Sequence, residues 1–307
     1  MNTQKSQSPP APTIWAAMLS IYVVWGSTYL AIRFAVQTMP PFLMAATRFL
    51  VAGGVLFVFR RTWGDAAPSD REWYSAAIIG LLLLLGGNGG VVWAEQRVSS
   101  GHAALMVSAT PLWMVLIDSL RPGRRRPGWL AIAGVLVGFA GVVTLIGPGA
   151  SRADRVDPVG AGVLILATMC WAAGSLYSRK AALPPSPLLG TGMEMIIGGL
   201  SLLALGTLTG EWGRLNLSGI TAESWRGLGY LIVFGSWVGF GSYTWLLRVA
   251  PTSLVSTYAY VNPIVAVLMG NWLAAEPLTP RTLIAAAVIV GSVALTTIAN
   301  QNVNRKT

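Results

Sequence analysis

Two ionisable side chains stand inside long apolar runs: Arg48 within residues 41–59, and Glu194 within 187–209. A charge isolated at mid-bilayer costs at least about 2.5–3.5 kcal/mol on insertion scales, so each needs a partner or a wet cavity. A guanidinium and a carboxylate so placed can meet as a switchable ion bridge, and the acid can take up and release a proton. Glu95, closing the run 73–95, is a second candidate for proton coupling, one that reaches interfacial water. None of these has the company that catalysis needs. No paired acids or nucleophile beside a base are evident, and the phosphate-loop, H-E-x-x-H and G-x-S-x-G patterns do not occur. His102 is the single histidine and Cys170 the single cysteine, so no metal site, disulfide framework or cofactor is expected.

A second group of residues could hold a small molecule. Trp25, Thr28 and Tyr29 stand at i, i+3 and i+4, which places an indole and two hydroxyls on one helical face. Trp171 and Ser175 repeat that arrangement, Asn88 shares a face with Glu95, and Tyr258 shares one with Asn262. With Thr110 these nine residues form the expected substrate cavity, because a polar face inside lipid points inward. Pro111 and Pro263 interrupt apolar runs and are expected at a gate, since proline removes a backbone donor and leaves a carbonyl that protein or a wet cavity must satisfy. For the tryptophans the competing reading is interfacial anchoring, and for the prolines a kink that only shapes packing.

The elements that must carry these residues follow from composition. Hydrophobic residues make up 54% of the 307, charged residues 10%, and mean hydropathy is +0.61, more apolar than a soluble core requires. Ten runs are long enough to cross a bilayer: 14–36, 41–59, 73–95, 101–120, 128–147, 158–180, 187–209, 225–247, 253–274 and 281–300. The first, long and followed by nine more, reads as a retained helix and not a cleaved signal peptide. With an even number of spans both termini share a side, and that side collects thirteen of the 21 lysines and arginines against seven opposite. Both termini are therefore expected in the cytoplasm. The net charge of +10 lies in these short loops facing anionic lipid and forms no stripe for nucleic acid.

The chain also repeats itself. A shift of 146 lays Trp25 on Trp171, Arg33 on Arg179 and Gly53 on Gly199; a shift of 152 lays Gly87 on Gly239, Trp93 on Trp245 and Pro111 on Pro263. Five spans per half is an odd number, so the second half enters the bilayer from the opposite side, as in transporters with inverted repeats. The expected fold is an all-α polytopic membrane protein of ten transmembrane helices in two inverted five-helix repeats, 14–147 and 158–300. A linker at 148–157 joins them, between cytoplasmic tails at 1–13 and 301–307. The same shift gives Arg48 and Glu194 equivalent positions, predicting matched depth and a candidate ion pair in one conformation. The stretches G-V-L-V-G at Gly134 and A-V-I-V-G at Ala287 read as packing or homodimer faces.

WGSTYLAIR at Trp25, GLLLLLGGNGGVVWAEQ at Gly80, the E-M-x-x-x-G stretch at Glu194 and YAYVNPIVAVLMGNWLAAE at Tyr258 resemble the drug/metabolite transporter superfamily. Within it the chain is similar to the EamA family, in particular to its YedA-like and PecM-like inner-membrane members. The resemblance covers about 15–298 and implies a secondary exporter of small metabolites, amino acids or amphiphilic drugs with a cavity between the halves. Relatives often carry proline where this chain has Ser99. A nucleotide-sugar or phosphate-ester antiporter of the same superfamily is the nearer alternative, with Arg48 the one buried cation to meet a diphosphate. A passive channel would want a charge ring or carbonyl filter, which the sequence does not present.

Overall fold

The computed structural model describes residues 10–120, 128–146, 156–250, 252–255 and 257–305, and among them the chain is helical, with no strand. The loop arginines Arg121, Arg124, Arg125 and Arg126, most of the expected linker and the outermost tails lie outside the described residues. Seven helices are long and apolar enough to cross a membrane: α1 Ala11–Ala35, α2 Pro41–Thr62, α3 Asp70–Ala94, α4 Ser100–Ser119, α5 Trp129–Ile146, α6 Pro158–Ser178 and α7 Pro187–Leu208. Three further stretches follow, α8 over 222–249, α9 Tyr258–Ala274 and α10 Pro280–Arg305. By the same measure α9, at 17 residues, and the apolar part of α10, Pro280–Thr296, fall short. Two expected boundaries move. α1 starts at Ala11, within the expected tail, and runs unbroken through Trp25-Gly26-Ser27-Thr28, while α10 continues to Arg305.

Helix starts are set by local chemistry. Ser69, Ser99, Asp157, Ser186 and Thr221 each accept a backbone N–H of the first turn, and Pro41, Pro158 and Pro187 occupy first-turn positions where a missing N–H costs nothing. Ser99 caps α4 through the His102 N–H.

Packing exchanges the halves. α2 lies against α7 and α5 against α10, each helix beside its own repeat mate. α1 packs on α8 and α9, and correspondingly α6 packs on α3 and α4. The seam between α5 and α10 places Gly134 against Thr296, Gly138 against Ser292 and Gly141 against Ile289, so the small-residue stretch of α5 packs within the chain. Val51, Val55, Val58, Leu136, Leu166, Leu200 and Leu268 face outward, an apolar exterior suited to lipid.

Two irregularities stand at matched places. Gly80–Gly89 of α3 and Leu231–Val238 of α8 are wound as π-helix, and the 152 shift carries the first onto 232–241, overlapping most of the second. Such wide turns frequently accompany functional sites. α4 breaks at Ser108 and Ala109, so that Thr110 and Pro111 open a new helical segment, whereas Pro263 sits inside α9 and removes one rung of its ladder.

Candidate functional site

α1 presents one stripe along its length, Tyr22, Trp25, Thr28, Tyr29 and Arg33, toward α8 and α9. Trp25 lies at the centre of an aromatic group, with ring centroids 5.3 Å from Phe240, 5.1 Å from Tyr243 and 5.3 Å from Tyr258. Its Nε1 donates to the Gly235 carbonyl at 3.3 Å, within the wide turns of α8. A Cβ on Gly239 would overlap that indole nitrogen, so only glycine lets the ring lie flat on α8. The repeat mate does the same: a Cβ on Gly87 would come within 2.8 Å of the Trp171 ring, placing Trp171 on α3 as Trp25 is placed on α8. One turn of α1 away, the Tyr22 hydroxyl bonds Thr257 Oγ1, and the Asn262 amide, oriented to satisfy its surroundings, donates to the Tyr258 and Tyr22 carbonyls at 3.1 and 3.3 Å.

Arg48 reaches this centre from α2. It is 3% exposed; its Nε donates to Ser236 Oγ at 3.1 Å, its Nη1 reaches Asn88 Oδ1 at 3.5 Å, and its guanidinium lies 4.7 Å from the centroid of Phe49. A Cβ on Gly235 would stand 3.1 Å from both Arg48 Nη2 and Thr28 Cγ2. Arg48, Thr28 and Trp25 thus meet around one glycine that the sequence does not single out.

Arg48 and Glu194 form no ion pair in this structure, and the antiparallel crossing of α2 and α7 explains why. Leu50 packs at Gly199 and Phe57 at Gly192, so equivalent positions lie on opposite sides of the crossing point. Equivalent positions on antiparallel mates lie at inverted heights along the pair, so Arg48 and Glu194 are separated by about seven residues, or roughly 10 Å. The expectation of matched depth is corrected accordingly.

At the end of the bundle where α1 stops, the carboxylate of Glu276 gathers three elements. It accepts the Ser100 N–H at 2.9 Å, the Ser100 hydroxyl at 2.8 Å and the Gly101 N–H at 3.0 Å, and it pairs with Arg33. Glu276 is placed there by Ala275, a non-glycine residue with φ +50° that turns the chain back after α9. Glu95, 4% exposed, lies beside this cluster, facing the carboxylate of Glu276 and the guanidinium and backbone N–H of Arg33. At the same end Glu211 plays the plainer role of a cap, accepting the Phe42 and Leu43 N–H groups at the start of α2 at 3.2 and 2.9 Å.

Of the residues expected at a site, Trp25, Thr28 and Asn88 come together with Arg48 at Gly235, Tyr258 packs on Trp25, and Asn262 bonds Tyr22 a turn of α1 away, with Tyr29 on the same stripe. Trp171 takes the reciprocal position on α3. Thr110 is held by a local bond to the Val107 carbonyl, and the Ser175 carbonyl accepts from Ser178. His102 is satisfied by Ser99 and Thr282, as a structural histidine would be. A cavity of about 110 Å³ lies elsewhere, lined by apolar side chains of α4, α5 and α6, among them Met106, Phe139 and Ile165. Among the described residues no group of His, Cys, Asp and Glu could hold a metal.

Residues 13–147 and again 158–298 match the EamA-like transporter family. Over 288 residues the chain is 38% identical to the uncharacterized inner membrane transporter YedA of Escherichia coli K12, covering 93% of this chain and 90% of that one. It is 27% identical over 256 residues to protein PecM of Dickeya dadantii, covering 80% of each. A WAT1-related chloroplastic protein of Arabidopsis thaliana is 26% identical over 286 residues, which span 92% of this chain and 68% of the other. A crystal structure of a protein 19% identical superposes with a TM-score of 0.63, covering 96% of this chain and 99% of that one, a likeness of fold alone.

Proposed function

Because the chain belongs to the EamA-like transporter family, we propose that it is a secondary transporter of ten membrane helices in two inverted repeats. In this reading it exports a small metabolite, amino acid or amphiphilic drug across the inner membrane by alternating access. The observation that carries this reading is the exchange symmetry of the packing, above all the reciprocal seating of Trp25 on Gly239 and Trp171 on Gly87. Two halves that dock on each other through the same contacts can swap roles, which is what opening a fixed central site to either side requires.

With both termini in the cytoplasm, the cluster of Arg33, Glu276 and Ser100 closes the periplasmic end. It joins α1, α9 and α4, whose separation would open a path to the Trp25 centre, about 12 Å deeper along α1. Glu95 is the proposed proton-coupling residue there. A buried carboxyl beside a carboxylate and a guanidinium changes the balance of that latch when it gains or loses a proton. Glu194 is retained as the rival proton site.

The test loads vesicles containing purified protein with a panel of amino acids, organic acids and amphiphilic amines, and measures which leave, with and without a pH gradient. Export of at least one compound, lost in Tyr258→Ala and Trp171→Ala proteins that fold normally, is the expected result. Kinetics unchanged in both variants would remove the two residues from the path, and no flux of any compound would sink the transport reading.

A further inference from the structure

Arg48 is the one residue at the centre whose chemistry is left incomplete. Its guanidinium is buried within the span of α2, and the acceptors it has, Ser236 Oγ and Asn88 Oδ1, are both neutral. The ion pairs among the described residues, Arg33 with Glu276, Arg60 with Asp65, Arg214 with Glu211 and Arg226 with Glu223, leave it out. Neither Glu194 nor Glu95 forms a bridge to it. A buried guanidinium without a counter-charge is costly, whereas a paired one with good geometry is tolerated. Its remaining direction is informative. Ser236 and Asn88 hold Nε and Nη1, which fixes the plane of the fork, and Nη2 is turned toward Gly235 with no acceptor of its own. On the other side of Gly235 the Trp25 Nε1 makes a long bond to the Gly235 carbonyl. Nη2 is therefore a donor without an acceptor beside a residue that has no side chain, and the ring of Trp25, packed by Phe240 and Tyr258, begins on the far side of that residue.

We propose that Arg48 recognises the carboxylate of a small organic monoanion through its Nη2 edge, in a site that opens where α2 and α8 part at Gly235, with an apolar, ring-sized body taking its place beside Trp25 and Tyr258. Guanidinium and carboxylate match as planar, two-pronged partners, and a single fixed cation selects a single negative charge over a diphosphate. The proposal rests on the transport reading for its biological use, but the site itself is a matter of binding.

The experiment measures binding to purified protein in detergent with three probes of one shape: radiolabelled phenylacetate, the neutral phenylacetamide and the cationic phenethylamine. Wild type should bind phenylacetate at least tenfold more tightly than either analogue. Arg48→Gln should abolish that preference, and Arg48→Lys should keep part of it. Gly235→Ala, which sets a methyl group against Nη2 and leaves the charge in place, should weaken phenylacetate binding without rescue by pH and so guards against an Arg48 variant that fails to fold. Equal binding of phenylacetamide, no binding of any probe, or displacement of phenylacetate by chloride as effective as by benzoate would overturn the proposal. Vesicle export of neutral compounds, unchanged in Arg48→Gln, would overturn it too and leave the transport reading standing. Phenylacetate binding with no flux of any compound would support the site and sink transport.

Discussion

Trp25 on α8 and Trp171 on α3 make the same contact in the two halves and keep different company. Around Trp25 stand Phe240, Tyr243 and Tyr258. The positions equivalent to these under the 152 shift are Asn88, Val91 and Met106. One junction is walled with rings; the other has an amide and aliphatic chains. The seat is common property of the repeat, because glycine under an indole is a demand of backbone approach. The walls differ between the two halves, so the fold does not require rings at these positions. An exchangeable pair of halves can therefore hold an asymmetric site.

The sharpest way to break this contrast is to add a methyl group under each ring. Gly239→Ala would drive a Cβ into the Trp25 indole, which Phe240, Tyr243 and Tyr258 hold on three sides. Overpacking of this kind costs about 1–3 kcal/mol, and the upper end applies where nothing can give. Gly87→Ala meets Trp171 at 2.8 Å and should cost less. Thermal unfolding in detergent, followed by size-exclusion fluorescence, checks the order. Equal losses would show that the aromatic wall does not fix Trp25.

Next in size are the two buried glutamates at one end of the bundle. Both Glu276 and Glu211 accept backbone N–H groups of a helix start, and Glu276 also pairs with Arg33 across α1. Glu276→Gln should cost about 1.5–3 kcal/mol, as loss of hydrogen bonds to a charged group does. It should also raise labelling of a cysteine at position 28 by a membrane-impermeant thiol reagent, in a Cys170→Ser background. Glu211→Gln should cost stability alone. Labelling that rises equally in both would reduce Glu276 to a cap.

The smallest effect belongs to Ala275. A left-handed conformation costs a non-glycine residue about 1–2 kcal/mol, and glycine returns about 0.5–1 kcal/mol of that through its greater freedom when unfolded. Ala275→Gly should therefore stabilise the latch slightly, by about 0–1.5 kcal/mol on these figures. It should slow, and not speed, the cysteine labelling just described. Faster labelling would mean that the strain at φ +50° holds the end shut.

What the sequence makes legible here is what periodicity and repetition encode. Helices, apolar exteriors, the pairing of Trp25 with Trp171, and the helical faces carrying Asn88, Tyr258 and Asn262 all follow from local spacing. What it hides is contact between distant segments. Arg33 and Glu276 are 243 positions apart and Arg48 and Ser236 are 188 apart, with no local pattern to mark either pair. The π-helical turns are hidden for another reason: a run such as Leu81–Leu85 is apolar on every face, so a change of winding leaves no trace in hydropathy. Arg48 and Glu194 misled because the shift that found them reports equivalence, and on antiparallel mates equivalent positions lie at inverted heights.

The wide turns of α3 and α8 also hold, in effect, a spare residue each. An α-helix that gains one residue can absorb it as a π turn and leave both flanks facing as before, whereas in an ordinary helix the same gain rotates everything beyond it by about 100°. Removing one leucine from Gly80–Gly89 would let α3 relax to regular winding with Trp93 and Glu95 still facing as they do now, while the same deletion early in α2 would swing Arg48 out toward lipid. In genetic terms, these two stretches are where the chain is expected to absorb the loss of one residue with the least change to what lies beyond it.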